Sequence, residues 1–162
     1  DLLGFDYIER TLTDPKYGLF DPSRGGGLWV GKRYGSGGDR QPDPVSGLLH
    51  AATAEQVARF YYLLATGRLV SPQRSAEMLD VLADPVQHHK FVKVLVQRAP
   101  EARVYRKSGT WRNWHADSVM VWGADWRRYI LVGLVEDEHG EAILQSLVPI
   151  AEDVLQRTAS MP

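Results

Sequence analysis

The spacing of apolar residues changes its period once along this 162-residue chain, near Pro100. Before that point the signals are helical, whereas three segments after it are rich in β-branched and aromatic residues. A last apolar stripe with helical spacing follows these segments. The order is therefore helices, three strands and a helix, which is typical of an α+β fold. We therefore expect an antiparallel sheet flanked by helices.

The helical segments are marked by caps as well as by their apolar stripes. Thr53 and Gln56 fit a capping box, and Gly67 supplies the left-handed residue that ends the helix. Ser71 followed by Pro72 is a second helix start. We predict helices over 5–12, within 53–95 (from Thr53 to Gly67, from Ser71 to Asp84, and over 88–95) and over 140–157, where Pro149 should kink or restart the last one.

The β-rich segments lie within 103–135 and are short enough for strands. We predict three antiparallel strands over 104–107, 116–122 and 128–135. The residues 123–127 form a plausible hairpin loop between the last two.

A long segment, 18–47, shows neither period. It holds nine of the fifteen glycines and three of the nine prolines. Loops longer than about 15 residues in compact domains are usually functional or disordered. Because Trp29, Val30 and Tyr34 give this one something to bury, we interpret it as a packed surface loop rather than a flexible linker.

Composition excludes several classes of function. The net charge of -1 provides no field that attracts nucleic acid, and without cysteine there is no disulfide, thiolate site or thiol nucleophile. No run of about 18 apolar residues is present, so we expect no membrane span. The histidine spacings, including His88-His89, match no known metal site, and we expect neither metal nor cofactor.

The segment Lys107-Ser108-Gly109-Thr110 has the strongest chemical character. A lysine ammonium, two hydroxyls and a glycine that admits a ligand to the backbone together suit a carboxylate or an oxyanion. As a bare string of residues it is also a common turn. His115, Trp111 and Trp114 follow closely; each could border the same site or serve only for packing.

Several stretches together resemble the serine β-lactamase and penicillin-binding protein superfamily, in particular the β-lactamase enzyme family near class A. These stretches agree with that family in order and spacing: Thr53–Arg59, Gly67–Pro72, Tyr105–Thr110 and Tyr129–Val132. The resemblance covers nearly all of residues 1–162. It implies that the chain is the C-terminal part of a β-lactamase/transpeptidase-like domain, with 18–47 as its Gly-rich active-site loop.

The resemblance also implies roles for the residues of the segment. Lys107 would steady the proton network and the anionic substrate, and the backbone N–H of Thr110 would be an oxyanion-hole donor. Ser108 would bind the substrate carboxylate, and Gly109 would keep the strand open for the ligand. Arg112 could supplement the carboxylate site, or it could be a solvated turn arginine.

Three departures from the family pattern are visible. No serine is followed by lysine three residues later, and no Ser-Asp-Asn type motif occurs. No glutamate lies between Glu9 and Glu55 to activate a deacylating water, although Asp14, Asp21, Asp39 or Asp43 could substitute. We therefore expect the nucleophile to lie upstream of Asp1 in a longer enzyme, and this chain alone to be inactive.

Three hypotheses about function stay open at this point. The first is a serine hydrolase acting on an amide or ester carbonyl, β-lactam or related, through an acyl-enzyme. The second is a pseudoenzyme or binding module that recognises peptidoglycan-like peptides, and the third is an unrelated interaction domain. Under the first, the substrate carries a carboxylate and the location is periplasmic or secreted. The partner is the N-terminal half of the enzyme or a second copy, because the strand 128–135 would otherwise expose an apolar edge.

Overall fold

The computed structural model describes residues 3–33 and 37–161, and Tyr34 lies outside them. Within those ranges, five α-helices and seven strands follow one another as a helix, a loop region, three helices, three strands and a helix. The larger sheet is antiparallel and carries helices on both faces. The α+β prediction is therefore confirmed.

The N-terminal region is a helix followed by a packed loop. Helix α1 covers Phe5–Leu12, as its apolar spacing predicts. Four two-residue strands then pair antiparallel: β1 (Phe20–Asp21) with β2 (Gly26–Gly27), and β3 (Trp29–Val30) with β4 (His50–Ala51). Trp29 is buried, and its indole N–H donates to the carbonyl of Gln41 at 2.8 Å. Burial of this ring gives the loop a core of its own, although Val30 is exposed.

The next three helices are α2 (Ala54–Ala65), α3 (Pro72–Leu82) and α4 (Phe91–Arg98). The hydroxyls of Thr53 and Ser71 accept hydrogen bonds from backbone N–H groups of the first turns of α2 and α3, as predicted. Helix α4 starts later than its predicted residue 88. Lys90 has φ +51° and ψ -126°, which no helix can include, and the helix begins only after it.

The larger sheet has the strand order β5-β6-β7, with β5 at Arg103–Trp111, β6 at Trp114–Trp122 and β7 at Arg128–Glu136. The first of these strands is longer than predicted, because it continues past Lys107 to Trp111. Ser108 and Gly109 have low strand propensity, but each pairs with a residue of β6. Long-range pairing therefore overrides the local preference.

Helices cover both faces of this sheet. On one face, α4 and α5 (Gly140–Ala159) pack against inward residues of β6 such as Val119 and Val121, both fully buried. On the other face, the hydroxyl of Tyr61 in α2 donates to the carbonyl of Ser118 at 3.1 Å. Helix α5 runs through Pro149 without restarting.

The outer edge of β7 is open in the described part of the chain, where this strand pairs only with β6. The sequence led us to expect this open edge. No helix within residues 3–33 and 37–161 is long and apolar enough to cross a membrane.

Candidate active site

The outer edge of β5 presents backbone groups to solvent. The N–H of Asp84 donates to the carbonyl of Val104 at 3.0 Å, so the peptide groups of Val104 face away from β6. In an antiparallel pair this orientation recurs at every second residue. The peptide groups of Ser108 and Thr110 therefore also face outward. Within the described residues no strand pairs with this edge beyond the Ala83–Tyr105 bridge.

A cleft of about 550 Å³ lies along the end of the sheet. Its walls are Gly109 and Thr110 of β5, the facing ends of β6 and β7, and residues 48–52 at the end of the long loop. A β-carbon built on Gly109 would meet no atom within 4 Å. The glycine therefore leaves open space where a ligand would approach the strand.

The structure places Lys107 and Ser108 beside this cleft rather than in its wall. The Lys107 ammonium donates to the carbonyl of Ser108 at 2.5 Å, so it lies along the outward edge of β5. Lys107 also borders a smaller cavity of about 140 Å³ beneath α2, together with Tyr61 and Ser118. The lysine is exposed and can turn toward an anion in the cleft.

The hairpin between β5 and β6 holds the aromatic residues. Trp111 and Trp114 face one another across the strands, are 69% and 56% exposed, and line the cleft. Arg112 has φ +52° in the two-residue turn, and its guanidinium lies 5.5 Å from the centre of the Trp111 ring. The structure thus brings both tryptophans to the cleft, whereas Arg112 contacts the Trp111 ring and does not line the cleft.

Two titratable residues of the cleft stand out, His115 and Glu136. The ring of His115 packs against Gly140, where a β-carbon would lie only 2.5 Å from the ring, and its Nδ1 is buried with no hydrogen-bond partner among the described residues. Glu136 ends β7 and lines the cleft. No sequence signal indicated that Glu136 would border the site, since nothing local shows that β7 ends at the cleft.

A buried ion pair lies beneath β5. The side chains of Arg106 and Asp117 are 3% and 0% exposed, and Nε and Oδ1 are 2.8 Å apart. Arg106 also donates to the carbonyls of Gln87 and His89, at 2.6 and 3.1 Å. Asp117 accepts from the N–H of Phe91 at 3.0 Å. The Arg106–Asp117 pair therefore holds the segment before α4 against strand β5.

Lys90 is a second buried cation that the sequence analysis missed. Only 1% of this residue is exposed. Its ammonium donates to the carbonyls of Gly109 and Ala116, at 2.6 and 3.0 Å, and to the hydroxyl of Thr110 at 2.8 Å. Burial lowers the pKa of the Lys90 ammonium, an effect that the nearby Asp117 charge opposes. Because Lys90 follows two histidines in a predicted helix, no sequence signal indicated that it would be buried.

The aspartates of the loop region are used for turns. Asp14, Asp21 and Asp43 each accept hydrogen bonds from N–H groups two to five residues along the chain. Burial by itself would raise the pKa of Asp43, but hydrogen bonds from Ser46, Leu48 and Val45 lower it to about 2. Among the described residues that line the cleft, none is an aspartate.

Metal binding receives no support from the described residues, in which no cluster of three or more histidine, cysteine, aspartate or glutamate side chains could hold an ion. His89 instead contacts the Arg106 guanidinium through Nδ1 at 3.0 Å.

The fold is an α+β domain in which the edge of a glycine-containing strand faces a cleft. Comparison with known proteins identifies its family. The model of the Beta-lactamase enzyme family matches residues 32–158, which is well over half of the chain. The chain therefore belongs to the β-lactamase enzyme family, as the resemblance implied. No curated protein sequence matches it.

A solved structure shows the same fold. The β-lactamase from Sphaerobacter thermophilus superposes with a TM-score of 0.66 at 17% sequence identity. The match covers 100% of the present chain and 56% of the Sphaerobacter chain. The present chain thus spans little more than half the length of that enzyme.

Proposed function

We propose that this chain forms one wall of the active site of a β-lactamase-like serine hydrolase, which attacks an amide or ester carbonyl and passes through an acyl-enzyme. The observation that carries the proposal is the edge of β5, where the outward N–H of Thr110 borders an open cleft. A backbone donor fixed in this way is suited to a developing oxyanion. Membership of the β-lactamase enzyme family supports a hydrolase.

The neighbouring residues fit parts of the same reaction. Ser108 lies one residue before Gly109, next to the Lys107 ammonium, and the two suit a substrate carboxylate. Lys107 would also steady the proton network of the site. The open space at Gly109 admits the scissile bond to the strand. Arg112 contributes to carboxylate binding only if it leaves the Trp111 ring.

The nucleophile in this proposal is a serine from outside these 162 residues, because none of the nine serines here precedes a lysine by three positions. The chain alone then forms no acyl-enzyme. A periplasmic or secreted location completes the proposal, and it rests on family membership alone.

Deacylation should be slow. The loop contains no glutamate, and Asp14, Asp21 and Asp43 already accept hydrogen bonds from their own turns. Asp39 is exposed and does not line the cleft. The carboxylate that does line the cleft, Glu136, is at the end of β7. We expect an acyl-enzyme that persists longer than the time needed to form it.

Intact-mass spectrometry of the native gene product with benzylpenicillin tests the proposal. A single adduct on the native product, and none on the 162-residue chain, is the expected result. If benzylpenicillin bound but formed no adduct, the hydrolase proposal would be wrong and the peptidoglycan-binding module would be favoured.

The oxyanion role of Thr110 is tested separately with a matched pair of variants. Thr110→Pro removes the N–H, and proline is tolerated at a strand edge where no ladder bond is lost. Thr110→Ala keeps the N–H. We expect Thr110→Pro to acylate about 10²-fold more slowly than Thr110→Ala. Equal acylation rates for the two variants would show that the Thr110 N–H is not part of the oxyanion hole.

A further inference from the structure

The buried ammonium of Lys90 has a full set of acceptors. A lysine ammonium carries three N–H donors and no acceptor, and unpaired burial of such a charge is costly. Here three oxygens lie 2.6–3.0 Å from Nζ, two of them carbonyls of the paired residues Gly109 and Ala116. No donor is left over for a ligand. Lys90 therefore acts on the strands and not directly on a substrate.

The third acceptor is the hydroxyl of Thr110, at 2.8 Å. Since this oxygen receives a hydrogen from Lys90, its own hydrogen must point away from the ammonium. Thr110 is exposed and lines the cleft. The ammonium thus fixes the Thr110 hydroxyl as a donor, polarised by a nearby positive charge.

The backbone at Lys90 is held in a strained conformation that aims this side chain. A non-glycine residue at φ +51° is uncommon, and such strain persists only where surrounding contacts impose it. Those contacts are present on both sides of the residue. Arg106 donates to the carbonyl of His89, and Asp117 accepts from the N–H of Phe91. The buried ion pair and the Lys90 turn therefore form one support under β5.

We propose that Lys90 is a positioning residue of the active site, which fastens Gly109 and Thr110 to β6 and orients the Thr110 hydroxyl toward the cleft without touching the substrate. Its relevance to catalysis rests on the proposed function, whereas its contacts with the strands do not. Loss of the ammonium would free both the Thr110 hydroxyl and the carbonyl of Gly109. Substrate binding would then weaken although every residue that touches the substrate is intact.

The first experiment is nuclear magnetic resonance of the 162-residue chain without ligand. A buried, hydrogen-bonded ammonium exchanges slowly with water, so Lys90 should give an Nζ–H signal that couples to the carbonyl carbons of Gly109 and Ala116. This measurement needs no variant and so does not depend on a mutant that folds. Absence of that signal, from a chain whose β5–β6 pairing is visible, would overturn the proposal.

The second experiment compares Lys90→Met with Lys93→Met, which removes an exposed ammonium from helix α4, just after Lys90. We expect only Lys90→Met to shift the Gly109, Thr110 and Ala116 signals. In the native gene product it should also slow acylation by benzylpenicillin about fivefold or more, as misplacement of binding groups does. Unshifted signals in a folded Lys90→Met variant would overturn the positioning role. If the native gene product forms no adduct with benzylpenicillin while the Nζ coupling is present, the proposed function fails and the strand contacts stand.

Discussion

Asp117 and Glu152 both have side chains with no exposed surface, and these two carboxylates are neutralised in different ways. Asp117, in the sheet, pairs with Arg106, whose side chain is only 3% exposed. Glu152, on α5, pairs with Arg98 and Arg127, whose side chains are 37% and 32% exposed. The Asp117 pair lies beneath strand β5, whereas the Glu152 cluster joins α4, α5 and the loop after β6. A buried pair with both charges inside must hold its surroundings tightly, because neither partner can turn to water.

Replacement of Asp117 by asparagine should have the largest effect. It leaves the Arg106 guanidinium buried without its counter-charge, and breaking such a pair costs about 3–5 kcal/mol. Urea unfolding would measure the loss. Asp80→Asn is the control, since Asp80 is 3.8 Å from Arg103 in an exposed pair and should change stability by less than about 1 kcal/mol. Similar losses from both variants would contradict the distinction between buried and exposed pairs.

Glu152→Gln should cost less, about 2 kcal/mol, because Arg98 and Arg127 can regain water when the charge is removed. The hydrogen bond from the Tyr129 hydroxyl to Glu152, at 3.1 Å, can be kept by the amide oxygen. The control is Asp153→Asn on the same helix, where the side chain is 57% exposed. If Glu152→Gln lowered the free energy of unfolding as much as Asp117→Asn, the exposure of the partner arginines would not determine the cost of losing the carboxylate.

The Glu152 cluster should also weaken in acid. Burial alone would raise the pKa of Glu152, but hydrogen bonds from Arg98 and Arg127 outweigh it and lower the pKa from its usual 4.5. A lowered pKa in the folded state stabilises the protein above the unfolded value and loses that contribution as the pH falls. The stability difference between wild type and Glu152→Gln should therefore shrink below about pH 4.5. A difference that grows in acid would mean that the pKa is raised.

Replacement of Asp43 should have the smallest effect on stability. This buried carboxylate accepts hydrogen bonds from neutral N–H and O–H groups. Its partners include the hydroxyl of Ser46 at 2.6 Å and the N–H of Leu48 at 2.7 Å. Asp43→Asn should cost about 1–2 kcal/mol, because one amide oxygen replaces two carboxylate oxygens. Calorimetry against the exposed control Asp39→Asn would measure it. No difference between the two would mean that the loop does not need the charge.

Much of the fold follows from local signals. The hydroxyls of Thr53 and Ser71 cap the helices whose starts they mark, and the three strands lie in the predicted order. The first strand was predicted too short, because Ser108 and Gly109 have poor strand propensity and only their partners on β6 keep them extended. The helix predicted from residue 88 starts at Phe91, because the strained turn at Lys90 depends on contacts with the distant Arg106 and Asp117.

For the candidate site, the sequence identified Lys107 to Thr110 through the family resemblance, and the structure places Gly109 and Thr110 in the cleft wall. Which way their peptide groups face could not be predicted, because that depends on register with β6 and on the Asp84 contact. The roles of all five predicted site residues stay predictions: Lys107, Ser108, Gly109, Thr110 and Arg112.

The sequence by itself determined the order of helices and strands, the family and the segment that we propose carries the chemistry. It could do so because helix caps, apolar spacing and short motifs are all encoded within a few residues. The tertiary structure alone decided that Lys90 lies under that segment with its three donors satisfied, and that Glu136 and both tryptophans share its cleft. Such contacts join residues about twenty or more positions apart, and strand register and burial, which no local pattern encodes, bring them together.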